Sequence, residues 1–248
     1  MSHPLDGALA HEDRADRDFD ELKSLLEKFI KENGQHTLSN YDPRRLKGIS
    51  SFELSGVRSF DFPAVPFEAA VLVSAIIHHL RAPLDYLVYK LALEDSGIIQ
   101  NGTQFIIEAN RADPKNPGRG FDGRAKSKLI GLSPAHIAII EGLQPYNGAT
   151  WTATLRDISN PDKHRKLTVI EGSQTVAHTI ELGEPGSFKG RHGPTGRGLS
   201  GGPDIHMDLN SSVYVGFPEM NNIRVLETLE IIKREVRATL DSFRSEFK

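Results

Sequence analysis

The strongest constraint on the fold of this chain is one long apolar helix near its middle. Six aliphatic side chains between residues 66 and 95 recur at steps of three and four positions, namely Val73, Ile77, Leu80, Leu84, Leu87 and Leu91. This spacing places them on one stripe of an α-helix, and the dense apolar flanks predict that the helix is central. Pro83 lies inside the helix, where its ring clashes with the carbonyl of His79, so we expect a kink there.

The order of the remaining elements predicts an α+β fold. Helical spacing recurs near 18–33, 133–143, 149–158 and 221–245. Segments that resemble strands recur at 52–62, 103–107, 167–170, 176–180 and 204–217. Since strands and helices do not alternate regularly, we expect the long kinked central helix and the C-terminal helix to pack with antiparallel hairpins. One domain over 1–248 is expected, with a mobile segment at 1–16 and a flexible glycine-rich loop at 183–203.

Composition excludes several classes of protein. The chain has 248 residues, no cysteine and a formal net charge of −3. Without cysteine, disulfide frameworks, thiol catalysis and cysteine-based metal sites are excluded, and neither a metal site nor a cofactor is predicted. The charge balance argues against bulk non-specific binding of DNA. The acidic N-terminus and the lack of a run of about 18 apolar residues predict a cytoplasmic protein with no membrane contact.

The central helix also carries a polar face, in the segment HHLRAPLDYLVY. His78, Arg81 and Asp85 fall on one side of the helix, away from the apolar stripe. Asp85 can hold Arg81, whose guanidinium can bind an anion such as phosphate, while His78 can exchange protons near neutral pH. The alternative is a plain Arg81–Asp85 pair within the helix, worth about 0.2–0.5 kcal/mol.

A second polar cluster, NPDKHRK, follows the helix predicted at 149–158. Lys163 and Arg165 can neutralise a phosphate while His164 acts as acid or base. The alternative is a solvated turn between helix and strand. Tyr146, in the segment QPY, is a further candidate for substrate contact, and its alternative is to pack beneath a helix end. Residues 111–128 hold six basic and two acidic side chains and predict a basic surface loop.

Four segments of the chain resemble a family of uncharacterised bacterial proteins. The segments are HHLRAPLDYLVYKLA, TQFII, IEGLQPY and NPDKHRKL. The family carries L-R-x-x-L-D, T-Q-F, Q-P-Y and D-K-H-R in this order, and the resemblance spans about residues 66–170. The resemblance implies that the chain has relatives in this family, but it does not imply a mechanism. This chain departs from the pattern at Ile106, where the family often has proline.

The chain is more weakly similar to HEPN domains. These are all-helical modules whose catalytic members cut RNA without a metal, using an arginine and a histidine. Their histidine follows the arginine by four to six positions. In this chain Asp85 and Tyr86 stand at that distance from Arg81. The similarity therefore implies an RNA-directed chemistry without supplying the second catalytic residue.

Two functional hypotheses follow. In the first, the protein is an intracellular factor that binds or cleaves a phosphate-containing substrate, RNA among the candidates, by metal-independent acid–base chemistry. Arg81 and Arg165 bind the anion, His164 and His78 exchange protons, and Asp85 orients Arg81. In the second, the protein is a non-catalytic interaction or structural module, a homodimer packed through its long apolar helices, and the polar clusters are internal networks.

Overall fold

The computed structural model describes the backbone of residues 3–33, 64–164, 171–182 and 205–247. The helices in these ranges are α1 (Asp6–Asn33), α2 (Phe67–Ser96), α3 (Gly120–Lys128), α4 (Pro134–Gly142), α5 (Thr150–His164) and α6 (Val225–Ser242). The strands are β1 (Glu171–Leu182), β2 (Ile205–Phe217) and β3 (Ile223–Arg224). Helices together with a small antiparallel sheet confirm the α+β class. The hairpin predicted at 52–62, the strand at 167–170, Arg165 and the loop at 183–203 lie outside the described residues.

Contacts divide the chain into two compact units. The first contains α1 as far as Leu25, helices α2 to α5, and α6. The second contains the rest of α1 and the three strands. The expectation of a single domain over 1–248 stays a prediction.

Helix α2 is the centre of the first unit. All six residues of the predicted stripe are buried, and α2 packs against α5 and α6. Removing a side chain of this size from water contributes about 1.5–3 kcal/mol, so the stripe explains why this helix lies in the core. The helix continues through Pro83 to Ser96, and Gly97 then takes a left-handed φ of 68°. This conformation favours glycine and is typical of the residue after a helix end.

Helix α2 is also long and apolar enough to cross a membrane, by length and composition. Its 18-residue window reaches a mean hydropathy of 1.2, but 56% of that window is buried inside the protein. The core helix of a globular protein passes the same test, so this result is weak support for a membrane span.

The sheet of the second unit is antiparallel and has the order β1-β2-β3. Strands β1 and β2 pair in one continuous register from Glu171 opposite Gly216 to Leu182 opposite Ile205. The strands predicted at 176–180 and 204–217 are confirmed. Strand β1 begins earlier than the predicted strand at 176–180, because Gly172 and Ser173 also pair with β2.

The helix boundaries differ from the sequence predictions at three places. Helix α1 begins at Asp6 rather than near Asp18, and the segment expected to be mobile includes buried alanines at 8 and 15. Helix α3 replaces part of the predicted basic loop, since Phe121 is buried and anchors it. Helix α5 runs through Pro161 to His164 instead of ending before Asn160. Burial of Trp151, Leu155 and Ile158 on the same helix offsets the backbone donor that this proline lacks.

The helix predicted near 133–143 is confirmed as α4. Ser133 is the N-cap residue, and its hydroxyl accepts a hydrogen bond of 3.3 Å from the backbone N–H of His136. Pro134 occupies the first helical position, where its missing N–H costs nothing.

Candidate functional site

The segment 103–108 is buried and irregular, so the strand predicted at 103–107 is wrong. Phe105, Ile106 and Ile107 are buried. Buried backbone groups need hydrogen-bond partners, and here side chains supply most of them in place of a neighbouring strand. The one backbone bond recorded for the segment joins the Gln104 N–H to the Lys128 carbonyl at 3.0 Å. A short apolar run looks the same in the sequence whether a neighbouring strand or side chains bond to its backbone.

Arg81 and Asp85 hold this segment from helix α2. Arg81 Nη2 donates to the carbonyl of Phe105, and the N–H of Phe105 donates to Asp85 Oδ1 at 2.8 Å. Arg81 Nη2 also lies 3.5 Å from Asp85 Oδ1. Burial lowers the pKa of Arg81 and the Asp85 carboxylate opposes that shift. A guanidinium remains protonated at physiological pH even so. The helix therefore presents a permanent charge that is bound to the backbone of the segment.

Gln144, which follows α4 in the chain, also binds the backbone of the segment 103–108. Its side chain is fully buried; Oε1 accepts from the N–H of Glu108 at 2.9 Å, and Nε2 donates to the carbonyls of Ile106 and Ile140. Sequence analysis noted the segment QPY for its tyrosine and missed the glutamine. The signal that could have found it is a buried amide at a helix end, since such a group must have partners.

A pocket of about 380 Å³ lies beside the segment. Residues 104–109 form one wall, and the other lining residues are Arg81, Arg124, Arg156 and Ser159. The three arginines come from α2, α3 and α5. Sequence analysis identified Arg81, but it did not assign Arg124, Arg156 or Ser159 to a site. Arg124 was predicted only as part of the basic segment 111–128. Arg156 precedes the NPDKHRK cluster and was not part of that prediction.

The three guanidinium groups are only partly engaged within the described part of the chain. Arg124 Nε lies 3.7 Å from Glu108 Oε1, and Arg156 Nε donates to Asp157 Oδ1 at 2.8 Å. Arg81 Nε is buried and has no hydrogen-bond partner among the described residues. Each guanidinium carries five N–H donors, so these contacts use a minority of them. Among the lining residues that the structure describes, Glu108 is the single carboxylate, so this lining carries a net positive charge.

The structure brings few of the predicted site residues together. Asp85 lies behind Arg81 and does not line the pocket. Tyr146 donates to Glu141 Oε1 at 3.1 Å and contacts the ring of Phe121, outside the pocket lining. Burial and the Glu141 carboxylate raise the pKa of Tyr146 well above its usual value, so it stays a neutral phenol. Its position fits the packing alternative.

The remaining predicted site residues are His78 on α2 and three residues at or just after the end of α5, namely Lys163, His164 and Arg165. Lys163 and His164 form the last residues of that helix, and their side chains are outside the description, as is the whole of Arg165. His78 is exposed and contacts His11 and His79 rather than the pocket.

The three histidines form a cluster between α1 and α2. The Nδ1 atoms of His11 and His79 lie 3.0 Å apart, and the rings of all three residues are in edge or tilted contact. Burial lowers the pKa of His79, and the nearby His11 and His78 lower it further. Within the described ranges, no group of three or more His, Cys, Asp or Glu side chains is arranged to hold a metal ion.

Comparison with protein-family models, with curated proteins and with solved structures finds no match to this chain. The resemblances to the bacterial family and to HEPN domains therefore stay predictions, and the functional argument rests on the geometry of the arginine pocket.

Proposed function

We propose that the protein binds a phosphate-containing ligand in the pocket lined by Arg81, Arg124 and Arg156. The observation that carries the proposal is the convergence of three guanidinium groups from three helices on one cavity. Guanidinium forks match the oxygens of phosphate in geometry and charge, and helices hold such groups more rigidly than loops do.

The buried state of Arg81 supports an anionic ligand. Its Nε is buried with no hydrogen-bond partner among the described residues, and leaving such a group unpaired costs about 1–3 kcal/mol. An anion in the pocket would lie beside this buried, permanently charged guanidinium and offset part of the cost of its burial. The contact with Phe105 fixes one edge of the guanidinium, so the orientation of the rest is set before a ligand arrives.

The catalytic form of the proposal adds proton transfer. Helix α5 carries Arg156 and Ser159 in the pocket lining, and its next turn contains Lys163 and His164. We therefore propose His164, with His78 as the second candidate, as the proton carrier in metal-independent cleavage of a phosphate-containing substrate, RNA included. We also propose that α2 is kinked at Pro83 and that the protein is cytoplasmic. Pro83 follows Arg81 by two positions, so a kink there would lie within one turn of a residue that lines the pocket.

The test is ligand binding by the purified full chain. We expect inorganic phosphate, a mononucleotide or a short RNA to bind in isothermal titration calorimetry, and Arg156→Gln to weaken that binding about tenfold. Arg234→Gln is the matched control, because Arg234 is an exposed arginine of α6 outside the pocket lining. Absence of binding to all three probes would exclude the proposal.

A non-catalytic module is the second candidate, favoured by a specific observation. Arg81, Asp85 and Gln144 all form hydrogen bonds with the backbone of the segment 103–108, as expected for an internal structural network. A homodimer would need a surface other than the buried stripe of α2, and exposed Phe67 and Val71 at the start of that helix offer one. Sedimentation of wild-type protein and of Phe67→Ser distinguishes a dimer from a monomer.

A further inference from the structure

We infer that the ligand of the arginine pocket is a small molecule carrying a terminal phosphate, a phosphomonoester, rather than a polynucleotide or another phosphodiester. The inference rests on the proposed function and narrows it. Three separate guanidinium groups line the pocket, and a terminal phosphate presents three equivalent oxygens to them. A phosphodiester presents only two such oxygens and a single negative charge, so it offers fewer acceptors and less charge to the same three cations.

The hydrogen-bonding capacity of the pocket fits three oxygens. All three arginines line the cavity, and within the described residues the contacts of Arg124 and Arg156 with carboxylates are made through Nε. Their terminal amino groups therefore remain to donate toward the cavity, within the part of the chain that is described. The Ser159 hydroxyl donates to the Arg156 carbonyl at 3.2 Å, which fixes the side chain at the pocket wall.

The positive charge of the pocket lining also favours a phosphomonoester over a phosphodiester. A phosphomonoester carries about −1.5 to −2 near neutral pH, since its second pKa is about 6, and thus matches several cations. A phosphodiester has one ionisable group per phosphate and carries a single negative charge. Glu108 lies in the wall at 3.7 Å from Arg124, so a second anionic group on the ligand would lie beside a carboxylate. The organic part of the ligand is therefore neutral.

The part of the pocket lining that the structure describes does not offer what single-stranded nucleic acids use for binding. Proteins that bind them place exposed aromatic rings on which bases stack. Phe105 is the aromatic residue of this lining, and it is fully buried with its ring 5.7 Å from the Arg81 guanidinium. A cavity of about 380 Å³ also lies at the small end of ligand pockets, which span about 300–1,000 Å³.

The test compares the affinity of the protein for a phosphomonoester with its affinity for the corresponding diester. Isothermal titration calorimetry of the full chain uses methyl phosphate, dimethyl phosphate and sulfate, each at about pH 7.5 and about pH 5. We expect methyl phosphate and sulfate to bind at the higher pH, and dimethyl phosphate to bind more than about tenfold more weakly. The affinity for methyl phosphate falls up to about tenfold at the lower pH, because about nine-tenths of it then carries one charge. Sulfate keeps two charges and serves as the control.

The outcomes separate this inference from the proposed function. Dimethyl phosphate binding as tightly as methyl phosphate would overturn the inference and leave the anion pocket in place. An equal loss of affinity for sulfate at low pH would also contradict it, because the change would then belong to the protein. If none of the three probes binds, and the mononucleotide and RNA also fail, the proposed function fails too.

Discussion

Asp85 and Phe105 are joined by a hydrogen bond of 2.8 Å between a carboxylate on helix α2 and the backbone N–H of a buried irregular segment. Arg81, one turn earlier on the same helix, donates to the carbonyl of that same phenylalanine. Two side chains at i and i+4 thus satisfy both backbone groups of one residue. This arrangement holds the segment 103–108 against helix α2.

Replacing Asp85 tests the stabilising role of this contact. Asp85→Ala leaves the N–H of Phe105 without its partner, so we expect the free energy of unfolding to fall by about 1–3 kcal/mol. Asp85→Asn keeps an acceptor oxygen and is expected to cost less. Urea denaturation measures both, with Glu230→Ala on the exposed face of α6 as a control that changes stability by less than about 0.5 kcal/mol. Wild-type stability of Asp85→Ala would show that the hydrogen bond contributes nothing.

Gln144 offers a sharper test, because it both donates and accepts. Gln144→Glu can still accept from Glu108 N–H but cannot donate to the carbonyls of Ile106 and Ile140 while it is ionised. We expect it to be less stable than wild type at neutral pH by more than about 2 kcal/mol. Protonation at acidic pH restores one donor, so the difference from wild type should narrow. A difference in melting temperature that does not change with pH would contradict this account.

The sequence predicts what depends on local spacing and misses what depends on contacts between distant segments. The buried stripe of α2 and the Arg81–Asp85 pair follow from helical periodicity, so both were predictable. The partner of that pair, Phe105, is not, because nothing in the helix specifies which segment lies against it. Arg124 and Arg156 reach the pocket from two further helices, and no spacing within either helix indicates that they meet.

The Asp95–His136 pair predicts how stability changes in acid. Burial alone would raise the pKa of Asp95, but hydrogen bonds of 2.7 Å from the Ser133 N–H and from His136 outweigh it and leave the pKa below its ordinary value. A depressed pKa in the folded state contributes stability above the unfolded pKa of about 3.9, and this stability is lost as pH falls through the folded pKa. Asp95→Asn should therefore lower the melting temperature at neutral pH and flatten its decline in acid. Parallel curves for the two proteins below about pH 4 would refute the assignment.

His79 predicts a separate dependence on pH, in a higher range. Burial, followed by the neighbouring His11 and His78, lowers its pKa, while Asp18 opposes the shift and Arg14 adds to it. A histidine with a lowered folded pKa binds its proton more readily when unfolded, so stability falls as pH drops below the unfolded value of about 6.5. His79→Gln keeps a hydrogen-bonding side chain without a titrating group. We expect a smaller difference in melting temperature between about pH 7.5 and about pH 5.5 than in wild type, and an unchanged difference would show that His79 does not contribute to the pH dependence of stability.

Arg81→Lys separates charge from geometry in the pocket. Lysine keeps the positive charge, but its single ammonium cannot bond to the Phe105 carbonyl and present a fork to a ligand at the same time. We expect the affinity for inorganic phosphate to fall about tenfold in isothermal titration calorimetry, equivalent to about 1.4 kcal/mol. Urea denaturation of the same variant checks that it remains folded, and Arg234→Lys controls for the substitution itself. Undiminished affinity in a folded Arg81→Lys protein would mean that the pocket recognises charge alone and that the guanidinium on α2 has no special role.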